Sequence, residues 1–288
     1  MEPDPIEKIS LPLLLEFASL LPASPKVFSR LEKLVSDENA ALDYIASLVK
    51  LDPGISAHIL RISNSAYYGS TVQVNNLEAA ISRIGFKEVQ GVLNTMVEQD
   101  CFYQALPCYG ITASAYTDRC IETAACAETI AKRVGADPDT PYLAGLLSEI
   151  GKLAINVYYE KISKVFNIVE AAGDQDLATF ERESLNISHV RAGYELLKNW
   201  QFDPGIWNPI KNLREPTLTT SYVRTTAILV FAQWIPSQIR GFDPDAKLPK
   251  NIEWSLKQLS IDRLDLASFV DDCRFEINDR QSTLSMML

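Results

Sequence analysis

Apolar residues recur along this chain at three- and four-residue spacing. Ala41, Leu42, Ile45, Ala46, Leu48 and Val49 fall at i, i+3, i+4 and i+7, on one face of a helix. Val223, Ala227, Ile228, Val230, Phe231, Trp234 and Ile235 repeat the spacing. Start signals are frequent. Ser24-Pro25, Asp52-Pro53, Thr140-Pro141 and Asp203-Pro204 each place a capping oxygen just before a proline suited to the first helical turn. Asn75 with Glu78 resembles a capping box. Two-residue alternation is scarce. Thr71, Val72, Gln73 and Val74, within 70–74, are the one hint of an extended piece, and no strong hairpin signal occurs. The pattern predicts an all-α fold. Ala105-Leu-Pro-Cys-Tyr-Gly110 interrupts it with Pro107 and Gly110. Two helical blocks follow, an N-terminal subdomain over 1–110 and a second bundle with a C-terminal extension over 111–288. Phe242 to Pro249 reads as a loop, and Arg280 to Leu288 is expected to fray.

Composition narrows the function classes. With 288 residues, 47% hydrophobic and 22% charged, the chain is long enough for a sizeable core and ordinary for a globular protein. Its 37 acidic against 27 basic residues give a net charge of −10. A field of that sign repels phosphate backbones, so no nucleic-acid partner is expected. No apolar run reaches membrane-spanning length, so no membrane partner is expected either. The start Met1-Glu-Pro-Asp-Pro-Ile-Glu7 is acidic and unlike a signal peptide, which points to the cytoplasm. The five cysteines, Cys101, Cys108, Cys120, Cys126 and Cys273, contain no CxxC and read as free thiols. Cys120 and Cys126 lack a nearby His and read as small buried helix residues. GxSxG, P-loop and GxGxxG strings are missing.

Two strings carry a resemblance. Leu51-Asp-Pro-Gly-Ile-Ser-Ala-His-Ile-Leu-Arg-Ile-Ser-Asn-Ser-Ala-Tyr-Tyr-Gly69 resembles the signature of the HDOD (HD-related output domain) family. Leu21-Pro22-Ala-Ser-Pro25 resembles the family's opening, and Leu77-Glu-Ala-Ala-Ile-Ser-Arg-Ile-Gly-Phe86 its next helix and glycine turn. Gly145-Leu-Leu-Ser-Glu-Ile-Gly-Lys-Leu153 resembles the core of HD-superfamily phosphohydrolases, where a His-Asp pair binding metal stands at the positions of Ser148 and Glu149. The resemblance covers roughly residues 10 to 240. It implies a helical bundle of HD-superfamily type with an N-terminal helical subdomain.

The residues themselves speak against the metal. A Ser hydroxyl is a poor ligand for a divalent ion, whereas an adjacent His and Asp are good ones. Followed along the family pattern, Arg119 stands at the first metal-binding His, Ser148-Glu149 at the His-Asp pair, Leu213-Arg214-Glu-Pro216 at a His-His-x-Pro end, and Ala232-Gln233 at the final acidic position. The chain has two histidines, His58 and His189, both read as structural. A magnesium site from Glu122, Glu128 and Glu149 is the remaining oxygen-ligand option, but helical spacing does not bring the three together.

The resemblance implies a regulatory, non-catalytic protein of bacterial signal transduction, without cofactor, that binds a protein partner or a small anionic ligand. A phosphohydrolase with a rearranged site, or a module that binds nucleotide without hydrolysis, are the alternatives. The expected pocket gathers Arg119, Ser148, Glu149, Arg214 and Gln233, with Glu149 paired to one arginine. The expected partner surface is Asn64 and Tyr68; its alternative is a helix terminus held by local hydrogen bonds, with Tyr67 and Tyr68 closing the turn and Gly69 allowing the exit.

Overall fold

The computed structural model describes residues 6–19, 21–35, 42–68, 73–99, 105–239 and 241–287. The fold is all-α. The first block holds α1 (Leu11–Phe17), α2 (Pro25–Val35), α3 (Leu42–Val49), α4 (Pro53–Ser63), α5 (Leu77–Ile84) and α6 (Phe86–Glu98). The second holds α7 (Ala113–Arg133), α8 (Asp139–Leu146), α9 (Ile150–Lys161), α10 (Ile168–Ala172), α11 (Leu177–Phe180), α12 (His189–Asn199), α13 (Pro204–Lys211), α14 (Val223–Gln238), α15 (Lys250–Leu259) and α16 (Leu266–Met287). One continuous core runs through both blocks, from Leu14 and Leu31 to Phe231 and Ile277. Among the described residues, no helix is long and apolar enough to cross a membrane.

Several helix starts follow the local chemistry. Asp52 caps α4 by accepting from the Ile55 N–H at 2.8 Å, and Asp203 caps α13 through Gly205 at 2.6 Å. Two starts sit elsewhere than the sequence suggests. α5 is capped by Asn76, which accepts from Ala79, while Asn75 donates to Thr140. α8 begins at Asp139 behind Pro138, so Thr140 lies inside the helix and caps nothing. The interruption at 105–110 closes as a small antiparallel ladder, β1 (Ala105–Leu106) on β2 (Ile111–Thr112), around a tight turn in which Gly110 takes φ 62°. That hairpin is too short to leave an alternating pattern. The extended piece expected over 70–74 falls partly outside the described residues, as do Gly69 and Cys101; Gln73 and Val74 belong to no strand. The C-terminal end does not fray at Arg280. α16 continues to Met287, and Arg280 is held by Glu128 and, at 2.8 Å, by Glu276.

The Leu21–Pro25 opening is strapped onto α4. The Leu21 N–H reaches His58 Nε2 at 2.9 Å, and the Ser24 N–H reaches Asp52 Oδ2 at 2.7 Å. Asp52 and His58 are thus buried polar residues with an identified purpose, since they absorb backbone donors inside the core. Burial drives the Asp52 carboxyl up to about 6 from 3.8, against the opposing pull of the Ile55, Ser24 and Gly54 N–H groups. A raised carboxyl contributes stability that is complete below its unfolded value and lost as pH rises through its folded one. We expect the stability of the parent relative to Asp52→Asn to fall by about 2–3 kcal/mol between roughly pH 4 and pH 7, read from urea unfolding. A difference that stays flat with pH would contradict this burial.

Two glycines set how the second block packs. At Gly145 a Cβ would stand 2.8 Å from the Ala124 Cα, so α8 lies directly on α7. At Gly151 it would stand 1.8 Å from the His189 carbonyl oxygen and 2.6 Å from the Gly193 nitrogen. Gly151 opens α9 and lets the start of α12 rest on its backbone.

Candidate functional site

That close approach places His189 beside the turn between α8 and α9. Around the turn lies a cavity of about 530 Å³. Arg119, Glu122 and Thr123 share one face of α7; Ser148, Glu149 and Lys152 come from the turn and the first turn of α9. His189 and Val190 come from α12, Leu213 and Arg214 from the segment after α13, and Gln233, Pro236 and Ser237 from α14. Thr123, Ser148, Lys152 and His189 are buried, whereas Arg119, Arg214 and Gln233 are exposed. The structure therefore brings Arg119, Ser148, Glu149, Arg214 and Gln233 to one cavity, with a buried polar floor and a basic rim.

The expected ion pairing is different. Glu149 pairs with Lys152, Nζ to Oε1 at 2.7 Å, and not with an arginine. The i, i+3 spacing and the burial of Lys152 make the ammonium the nearest cation. Burial opposes ionisation of Glu149, but the Lys152 charge and hydrogen bond, with His189 and Arg119 behind them, hold its carboxyl below the usual range. Glu149 Oε2 is buried without a hydrogen-bond partner. Arg214 stays wet and reaches Asp176 at 3.3 Å.

Behind the floor lies a network that reading the sequence missed. Glu181 is fully buried in the turn after α11. Its Oε2 accepts the His189 N–H at 2.8 Å and sits 2.6 Å from His189 Nδ1. Its Oε1 accepts the Tyr109 O–H at 2.8 Å. Burial, then the adjacent Glu181 charge, pushes the Tyr109 hydroxyl well above its ordinary value, so it remains a donor. With Nδ1 committed to Glu181, Nε2 is the ring atom of His189 left for a ligand. Lys152 was legible in the Gly-Lys pair of the motif; Glu181 and Tyr109 had no local signal, since their partners lie at least eight residues away.

The residues do not fit the metal that the fold type implies. Ser148 Oγ donates to the Gly145 carbonyl at 2.8 Å and Glu149 is held by Lys152. Among the described residues, no three His, Cys, Asp or Glu side chains are grouped to hold an ion. Glu122 and Glu149 line the cavity, but Glu128 turns to Lys132 and Arg280.

On the other expected surface, Asn64 is occupied structurally. It accepts the Val74 N–H at 2.7 Å and donates to the Val74 carbonyl at 3.2 Å, pinning the returning chain to the end of α4. Burial, then the nearby Glu88 charge, raises the Tyr68 hydroxyl from its ordinary value. Tyr67 does not close the turn but is 85% exposed.

Comparison with known proteins agrees with this architecture. The HDOD domain family matches residues 21–216. A Campylobacter jejuni virulence factor of known structure superposes with a TM-score of 0.74 at 21% identity, over 92% of this chain and 98% of that one. The MmoQ response regulator from Methylococcus capsulatus superposes at 0.70 and 21% identity, over 87% and 97%. An uncharacterized protein from Treponema pallidum is 18% identical over 239 residues; the match takes in 81% of this chain but 45% of that protein, so this chain spans about half the length of that relative.

Proposed function

The chain belongs to the HDOD domain family, and from that premise we propose that it is a non-catalytic regulatory protein whose cavity binds a small anionic ligand and whose bound state is read by a protein partner. One observation carries the reading. The turn where a metal-binding pair would stand is filled by a Ser148 hydroxyl bonded to backbone and by the Glu149–Lys152 ion pair, yet the cavity above it is open and rimmed by Arg119 and Arg214. Guanidinium groups match phosphate and carboxylate oxygens in fork geometry. Three cations against two carboxylates line the cavity, a net +1 in a chain of net −10. The similarity to a response regulator supports a place in signal transduction.

Calorimetric titration of the full chain with inorganic phosphate and with a nucleoside monophosphate tests the ligand. We expect saturable, salt-sensitive binding of at least one, weakened about tenfold by Arg119→Ala and by Arg214→Ala. Binding indifferent to both substitutions would remove the proposal. Metal-dependent hydrolysis of a phosphate ester, abolished by Glu149→Ala, would replace it with the phosphohydrolase reading.

A further inference from the structure

A second cleft, of about 280 Å³, lies on the first block between α4 and α6 and is lined by His58, Arg61, Ile62, Glu88, Gly91, Val92 and Thr95. Its polar groups are unusual for a surface groove. His58 is 1% exposed, its Nε2 is engaged with Leu21, and its Nδ1 is buried without a hydrogen-bond partner. Nε2 lies 2.9 Å from the Leu21 nitrogen and 3.1 Å from its carbonyl oxygen, so the ring is anchored to the Leu21 backbone. Burial and the neighbouring Arg61 charge depress His58 to about 3, so the ring is neutral at physiological pH and leaves Arg61 as the cation of the cleft.

Arg61 is half-buried and donates to the Ser19 carbonyl, with its guanidinium 4.9 Å from the centre of the Trp200 ring. Among the described residues no carboxylate comes within ion-pair distance of it, and its burial is opposed by no paired charge. Glu88 lines the same cleft from α6, near Tyr68, and does not close onto Arg61. A half-buried cation without a paired carboxylate calls for one. A carboxylate across the cleft, held apart from that cation, calls for a positive group on the same ligand. Ile62 and Val92 offer apolar contact between them, and the volume is too small for a nucleotide-sized molecule but suits an amino acid.

We propose that this cleft binds the zwitterionic backbone of an α-amino acid, its carboxylate on Arg61 and its ammonium on Glu88. The site is separate from the cavity of the second block and does not depend on it. Trp200, at the end of α12, lies under Arg61 and 5.6 Å from the His58 ring, so occupancy would be felt by the second block.

Titrating the full chain calorimetrically with each standard L-amino acid tests this, with the N-acetyl derivative and the amide of any binder as controls. We expect at least one amino acid to bind, and removal of either charge to weaken it about tenfold or more. Glu88→Gln, on a partly exposed side chain, should weaken it by a similar factor while melting like the parent, and Arg61→Ala should do the same to the carboxylate end. Arg119→Ala should leave it unchanged. The proposal fails if no amino acid binds up to about 10 mM. It fails equally if the N-acetyl derivative binds as well as the parent amino acid, or if Glu88→Gln has no effect on affinity.

Discussion

Gly151→Ala is expected to lower the unfolding free energy by more than about 3 kcal/mol, beyond the usual cost of overpacking a side-chain core. The added carbon would stand 1.8 Å from the His189 carbonyl oxygen and 2.6 Å from the Gly193 nitrogen. Both are backbone atoms of α12, so no rotamer change relieves the clash; the two helices must separate. Gly193 faces Gly151 from the other side, its own Cβ position 3.2 Å from the Gly151 nitrogen, which shows how closely the helices cross. Separation would also carry His189 away from Lys152 and Glu149 and so open the cavity floor. Urea unfolding read by far-UV circular dichroism measures the loss. A variant that unfolds with the parent would mean that α9 and α12 do not touch here.

Much of this was legible because it is periodic or local. The apolar spacing of 223–235 falls within α14, which is buried on more than that stripe, at Thr226, Leu229 and Ala232 as well, and Asp52-Pro53 is a helix start because one side chain caps and the next residue presets φ. The string around Gly145 announced a packing centre, since only glycine lets α8 and α9 approach their neighbours so closely. The cavity residues were placed by likeness to a pattern of widely separated positions, and the structure brings all five to one cavity. What did not show was pairing across the fold. The sequence does not rank Lys152 above the arginines as the partner of Glu149, because the ranking depends on which cation is buried beside it. At the end of α4, Asn64 makes the hydrogen bonds of a helix terminus, but to Val74, on a returning chain whose path the sequence does not encode locally. The hairpin at 105–112 leaves no mark in the sequence because two-residue strands carry no alternation.

Glu181→Ala is expected to cost about 3–5 kcal/mol, because it leaves several buried groups without their acceptor at once. The Tyr109 hydroxyl, the His189 N–H and His189 Nδ1 all converge on this one carboxylate. The substitution also leaves a cavity, whose surroundings relax only in part. Glu181→Gln distinguishes the two contributions. It preserves volume and one acceptor oxygen for Tyr109 or for His189, but its amide donates where the carboxylate accepted, so we expect a smaller loss of about 1–3 kcal/mol. A double-mutant cycle with Tyr109→Phe gives the sharper reading: the loss on Glu181→Ala should shrink by about 1 kcal/mol or more when the tyrosine hydroxyl is already gone. Additive losses would mean that the hydroxyl and the carboxylate do not share a bond. The anion titration adds the functional arm. With Glu181 removed, Nδ1 no longer fixes the ring, Nε2 loses its orientation toward the cavity, and phosphate affinity should drop even where the variant remains folded. Affinity kept intact in a folded Glu181→Ala protein would confine the Tyr109–Glu181–His189 network to stability and leave ligand recognition to the arginines of the rim.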